Sequence, residues 1–197
     1  TGNNYTRDYS YTYRGKTYNI TSEGSARQYF QDASYGQYNP QFDVIGPVTI
    51  SNNMSYYGKN DSYGNDMYPD KMVSEACKLA DTEYDVDFTQ YDNDNDGYVD
   101  FVFVIYAGYG EADGGVATTI WPHSWNLLAA GTRCQVDGKT VDLYACGNEL
   151  DYYSMMHTGI GTFCHEFSHV LGLPDLYVTN TASHATMNEW DIMDYGP

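Results

Sequence analysis

The chain has 197 residues, 42% of them hydrophobic, which suits one compact domain with its own core and is short for two. Acidic residues outnumber basic ones 27 to 9, a net charge of −18, so the surface repels phosphate backbones and anionic lipid and nucleic-acid binding is excluded. The longest apolar run, Phe101 to Ala107, falls far below the roughly 18 to 20 residues that cross a bilayer, so no transmembrane helix is expected.

The chain begins at Thr1 rather than Met and shows no basic-then-apolar leader, which reads as an export signal already removed. Asp, Asn, Ser, Gly and 22 Tyr dominate a surface with few Lys or Arg, as in exported, calcium-exposed proteins and equally in loop-rich surfaces. Four cysteines, Cys77, Cys134, Cys146 and Cys164, allow three pairings, and none has C-x-x-C metal spacing.

In chain order, Tyr9 to Tyr13 alternates Tyr with Ser or Thr as an exposed strand would, and the rest of residues 1 to 21 shows no periodicity. Ala26, Tyr29, Phe30 and Ala33 recur at helical spacing behind Ser and Thr capping candidates, predicting a helix over 25–33. Phe42 to Ile50 is rich in β-formers but interrupted by Gly46-Pro47, predicting a bent or edge strand. Pro69 opens a second helix with an apolar face of Met72, Val73, Ala76, Cys77, Leu79 and Ala80. Phe101 to Tyr106 is apolar on both faces, the pattern of a central buried strand. Trp121 to Trp125, with Pro122, predicts an edge strand, and Asp137-Gly138 a two-residue hairpin turn. These elements describe one α/β or α+β layered domain over residues 1–197.

The segment from Gly161 to Asp175 contains His165-Glu166-Phe167-Ser168-His169, a His-Glu-x-x-His pattern expected by chance on the order of 0.004 times in such a chain. One helical turn separates His165 from His169, so both imidazoles face one point with Glu166 beside them, while Ile160, Phe163, Cys164, Phe167 and Leu171 take the opposite, buried face. Gly172 can take positive φ and end the helix, turning the chain so that Asp175 reaches the metal as third ligand. Asp175 as a turn residue, with another carboxylate as ligand, is the alternative. Three ligands on zinc leave one position open to water, and Glu166 stands where it can accept a proton and deliver it to a leaving amine. That chemistry hydrolyses a carbonyl, and a peptide bond fits it best.

Asp92-Asn93-Asp94-Asn95-Asp96-Gly97-Tyr98-Val99-Asp100 reproduces most of a calcium loop: side chains Asp92, Asp94, Asp96 and Asp100, the Tyr98 carbonyl, and Gly97 at the sharp turn. Position twelve is Phe103, so the bidentate Glu is missing and the EF-hand is incomplete. A solvated acidic turn is the competing reading. His123, on the expected edge strand, is a candidate for the substrate-binding rim, and Glu149 for an outlying acid; His157 and His184 have no matching spacing.

With the helix, Trp190-Asp191-Ile192-Met193-Asp194-Tyr195-Gly196 resembles the metzincin metallopeptidases, in which a methionine turn lies beneath the metal, and Met193 matches that methionine. The helix running into Gly172-Leu173-Pro174-Asp175-Leu176-Tyr177 is similar to the immune-inhibitor-A family of secreted bacterial metallopeptidases. So are Ala26 to Phe30, Tyr35 to Gln37, Phe42 to Val48 and Asp92 to Gly108, and only residues 1 to 21 lack a counterpart. The resemblance implies zinc, an extracellular endopeptidase acting on proteins or peptides, and Asp175 in place of the third His of most metzincins. It also makes Tyr195, two residues past Met193, a candidate for binding zinc or the oxyanion. Metzincins continue past the methionine turn into a further helix, so a chain ending 25 residues after Gly172 reads as a trimmed or a partial catalytic domain. If incomplete, it would be a calcium-stabilised zinc-binding module without activity.

Overall fold

The computed structural model describes residues 5–178 and 186–194, and the chain divides into two compact units, residues 1–44 and 45–197. In the first unit, strands β1 (Tyr5–Tyr13) and β2 (Lys16–Gly24) form an antiparallel hairpin. Arg14 and Gly15 turn it with φ of 50° and 75°, the two successive positive values that match the twist of a tight hairpin. The alternation at Tyr9 to Tyr13 is thus one half of a ribbon, and its partner strand carries a short alternation of its own, with Tyr18 and Ile20 set between Thr17, Asn19 and Thr21. Helix α1 (Ala26–Ala33) follows where its spacing placed it, with the Ser25 hydroxyl accepting from the Gln28 amide at 3.2 Å and Phe30 buried.

The expected strand over Phe42 to Ile50 does not form. Pro47 has no amide hydrogen and Gly46 takes φ 123°, so the middle of that segment cannot sustain a ladder whatever the β-propensity around it.

In the second unit, α2 (Met54–Tyr57) leads to α3 (Pro69–Tyr84), which starts with Pro69 in its first turn and ends at Asp85 in the left-handed region with φ 52°. Then come β3 (Tyr98–Val99), β4 (Val102–Tyr109), β5 (His123–Asn126), β6 (Cys134–Val136), β7 (Lys139–Val141), β8 (Leu143–Leu150) and α4 (Gly161–Val170). Asp137 and Gly138 turn the β6–β7 hairpin with φ of 49° and 75°, and the Asp137 carboxylate also accepts from the Phe88 amide at 2.9 Å.

Two three-stranded sheets result, ordered β3-β7-β6 and β4-β8-β5. The second is mixed, β4 parallel and β5 antiparallel to β8, in a mixed α/β architecture. Its middle strand is β8, not the Phe101 to Tyr106 run, which lies at one side. The two apolar faces of β4 are covered unevenly, with Tyr106 buried and Ile105 65% exposed, as befits a strand at the side of its sheet. Tyr106 belongs to the main core, with Val102 and Val104 packed against it, while Phe103 packs on Phe163 of α4 with ring centres 4.8 Å apart. β8 alternates likewise, Tyr144 and Cys146 entering the core and Gly147 lying beneath Phe103, where an added Cβ would sit 3.1 Å from the ring. Strand β5 takes the predicted edge position.

The main core joins α3 to both sheets through Met72, Val73, Cys77, Val136, Val141 and Tyr144, with Tyr57 and Ile120 closing it. All four cysteines are buried as free thiols. Among the described residues no helix is long and apolar enough to cross a membrane.

Candidate metal centre

Helix α4 has two chemically different faces. Phe163 and Phe167 stack on each other at 6.0 Å, Phe167 also meets Phe101 at 5.2 Å, and Cys164 is fully covered. Ile160 and Leu171, expected on the same buried face, are partly exposed at the helix ends. Anchored by these rings, the helix turns His165, Glu166 and His169 toward a cleft of about 560 Å³.

The helix stops where the sequence predicts. Gly172 takes φ 89°, its amide bonds to the His169 carbonyl at 2.9 Å, and the Leu173 amide bonds to the Ser168 carbonyl at 3.1 Å. This pair of bonds is the glycine-dependent helix stop that reverses the chain. The reversal carries Asp175 back, and its Oδ1 lies 3.3 Å from His165 Nε2 and 3.3 Å from His169 Nε2. Donor atoms of the three residues all lie within 4.8 Å of one another.

The far side of each ring fixes what the near side offers. His165 Nδ1 donates to the Ile192 carbonyl at 2.7 Å and His169 Nδ1 donates to the Leu173 carbonyl at 2.8 Å. In a neutral imidazole the proton is thereby committed to Nδ1, leaving a bare lone pair on each Nε2. Two lone pairs and a carboxylate oxygen then face one another with no hydrogen between them. Asp175 Oδ1 is buried and has no hydrogen-bond partner among the described residues. Such an arrangement is repulsive on its own and is satisfied by a cation at its centre, and two imidazole nitrogens with one carboxylate oxygen suit zinc.

Glu166 is buried beside this cluster, and its carboxyl is pushed up to about 7. Burial is the main cause and the Asp175 charge adds to it, while His169 opposes. Met193 is buried in a turn directly after Ile192, whose carbonyl holds His165, and the Met193 carbonyl accepts from the Leu176 amide at 2.7 Å. That turn is therefore tied both to the helix and to the strand of chain that carries Asp175. Tyr195 and His184 lie outside the described residues.

A family model for the Immune inhibitor A peptidase M6 catalytic domain matches residues 4–197. The chain belongs to that family. Pre-pro-metalloprotease PrtV of Vibrio cholerae serotype O1, in strains M66-2 and ATCC 39315 / El Tor Inaba N16961, is 32% identical over 195 residues, covering 87% of this chain and 21% of that protein. Immune inhibitor A of Bacillus thuringiensis subsp. alesti is 29% identical over 194 residues, covering 86% of this chain and 28% of that protein. The chain thus spans between a fifth and three-tenths of the length of these curated relatives. No solved structure matches it.

Several contributors to this candidate centre carry no motif. The carbonyls of Ile192 and Leu173 orient the two imidazoles through the backbone, which any residue could supply. Asp194 lines the cleft, 3% exposed, with Oδ2 accepting from the Asn188 amide at 2.5 Å and Oδ1 unpartnered among the described residues. His123 also lines the cleft, but its Nδ1 donates to the Trp121 carbonyl at 2.6 Å and its Nε2 accepts from the Tyr144 hydroxyl at 2.9 Å. Burial lowers its pKa, so it is a neutral brace between β5 and β8. Glu149 accepts from the Gly108 amide at 3.2 Å, and His157 lies 3.9 Å from it.

The acidic loop is distinct from the cleft. Asp92, Asp94 and Asp100 bring carboxylate oxygens within 4.8 Å of one another, and Gly97 turns with φ 91°. The Asp96 carboxylate instead accepts from the Tyr98 amide at 2.8 Å. Lys139, which the loop's own sequence gives no hint of, places Nζ 2.5 Å from Asp92 Oδ2 and is the leading cause of the lowered Asp92 pKa. The loop therefore already contains one cation.

Because the Glu166 carboxyl is raised above the value of an exposed glutamate, the metal-free fold holds a proton that the unfolded chain has lost, and stability falls as pH rises from about 4.5 to about 7. In metal-free protein, Glu166→Gln should be more stable than the parent by on the order of 3 kcal/mol above pH 7, with the difference vanishing below the lower limit. Denaturant melts across that range measure it; a pH-independent difference contradicts the burial argument.

Proposed function

We propose that this chain is a zinc-dependent endopeptidase catalytic domain in which His165, His169 and Asp175 hold the ion and Glu166 transfers the proton. The observation that carries the reading is the meeting of two lone-pair nitrogens with the orphaned Asp175 Oδ1. The family match, running through both units, supports treating residues 1–197 as one such domain. When bound, zinc supplies a Lewis acid with a free coordination position that polarises a carbonyl and acidifies water.

This chain's own residues account for the rest. The Ile192 and Leu173 carbonyls keep both imidazoles in the tautomer that can bind a metal. Glu166, raised toward neutrality, accepts a proton as water attacks the peptide carbonyl carbon and returns it to the amine as the C–N bond breaks. Strand β5 pairs only with β8 among the described residues, and its other edge is the surface along which an extended substrate would lie. Met193, in the turn tied to His165 and to the segment carrying Asp175, would serve as the methionine turn. Tyr195 is the proposed oxyanion partner. A relative named as a pre-pro-metalloprotease supports export of a processed chain, which suits this acidic, loop-rich surface.

Asp92, Asp94, Asp96, the Tyr98 carbonyl and Asp100 form the proposed structural calcium site, supported by the convergence of three of these carboxylates. The single positive charge of Lys139 does not offset four carboxylates.

Glu166→Ala should retain one zinc per chain and its fold while cleavage of an unfolded protein substrate falls by roughly 10²- to 10⁴-fold. Full activity in that variant ends the proposed role. For the acidic loop, a calcium chelator applied with zinc held constant should lower Tm, and an unchanged Tm removes the calcium site.

A further inference from the structure

We propose that Cys77 of α3 and Cys134 of β6 are a disulfide-forming pair, a covalent modification site that fastens the helix to the β6–β7 hairpin. The sequence allows three pairings of four cysteines, and the fold separates them. Cys134 is fully buried and Cys77 is 3% exposed, both in the same core cluster. The two thiols stand within hydrogen-bonding reach of each other. Cys134 Sγ also donates to the Ser74 carbonyl at 3.7 Å, one helical turn before Cys77, so β6 lies against that face of α3.

The other two thiols have different surroundings. Cys146 Sγ lies 3.5 Å from His123 Nδ1, and Cys164 is covered on α4. Cys146 belongs to β8 and Cys164 to α4, elements other than the α3 and β6 that carry the proposed pair. The Cys134 thiol is drawn down to about 7, chiefly by its hydrogen bond with Cys77.

The oxidant is a protein or small-molecule disulfide met during folding in an oxidising compartment. The Cys134 thiolate attacks one sulfur of that disulfide, forming a mixed disulfide and expelling one thiolate. Cys77, losing its proton, then attacks the Cys134 sulfur and expels the second. Two thiols of the chain are oxidised by two electrons, the oxidant is reduced to two thiols, and two protons balance the exchange. The bond closes a long loop containing β3, β4 and β5, so its main effect is to restrict the unfolded chain. This inference rests on the two thiols and is independent of the catalytic reading.

The test is thiol mapping of the full chain, produced in an oxidising compartment and purified with zinc. After alkylation in denaturant, Cys146 and Cys164 should carry the label and the peptides holding Cys77 and Cys134 should be joined, two hydrogens lighter than their sum. Reduction should release the pair and lower Tm by roughly 10 °C. The Cys77→Ala/Cys134→Ala variant should show no response to reductant. Four alkylated cysteines, or a link involving Cys146 or Cys164, overturn the assignment; a correct link with no change of Tm on reduction overturns its fastening role. The mapping uses the parent chain, so it decides the pairing even if the variant does not fold.

Discussion

Two imidazole nitrogens and one carboxylate oxygen, stripped of hydrogens and pressed together, dominate the second unit of this chain. The distances of 3.3 Å from Asp175 Oδ1 to each Nε2 are set by structure on every side. Helix α4 fixes the spacing of the histidines, the Gly172 reversal brings Asp175 back, and carbonyls from two other segments hold the rings by their Nδ1 atoms. Without a positive charge at the meeting point, these elements hold mutually repelling groups; with one, they are a preformed socket whose assembly cost is met in folding.

Packing behind the socket explains its rigidity. The rings of Phe163 and Phe167 sit against Phe101, just before β4, and Phe103 within it, and β8 places Gly147 beneath Phe103 with Thr162 of α4 close by. The sheet is thus a wall between two layers, α3 with the main core on one side and the reactive helix on the other. The turn at Met193 links the helix to the chain reaching Asp175, since one residue's carbonyl holds His165 and the next residue's carbonyl holds the Leu176 amide.

Much of this was legible in the residues. A His-Glu-x-x-His helix announces itself because the chemistry requires adjacent turns of one face, and Gly172 because only a left-handed stop returns the chain. Asp137-Gly138 was equally plain, since two consecutive positive φ values favour those residues. Backbone acceptors were not legible: the Ile192 carbonyl lies 27 positions from His165, and nothing in its side chain marks it. Nor was Lys139 on Asp92, a contact made from the first residue of β7 to the acidic loop before β3. The choice of β4 as central strand failed because two-sided apolarity fixes neither position nor burial, as the 65% exposure of Ile105 shows, and β8, the true centre, carries the polar Asn148 and Glu149, which are held by internal hydrogen bonds.

X-ray absorption at the zinc edge of the metal-loaded chain, compared with that of Asp175→Ala, tests the central claim most directly. The account predicts a shell of two imidazole nitrogens and at least one oxygen at about 2.0–2.2 Å, with no sulfur and with a carboxylate contribution lost in the variant. A sulfur-containing shell, or a shell untouched by removal of Asp175, would contradict it.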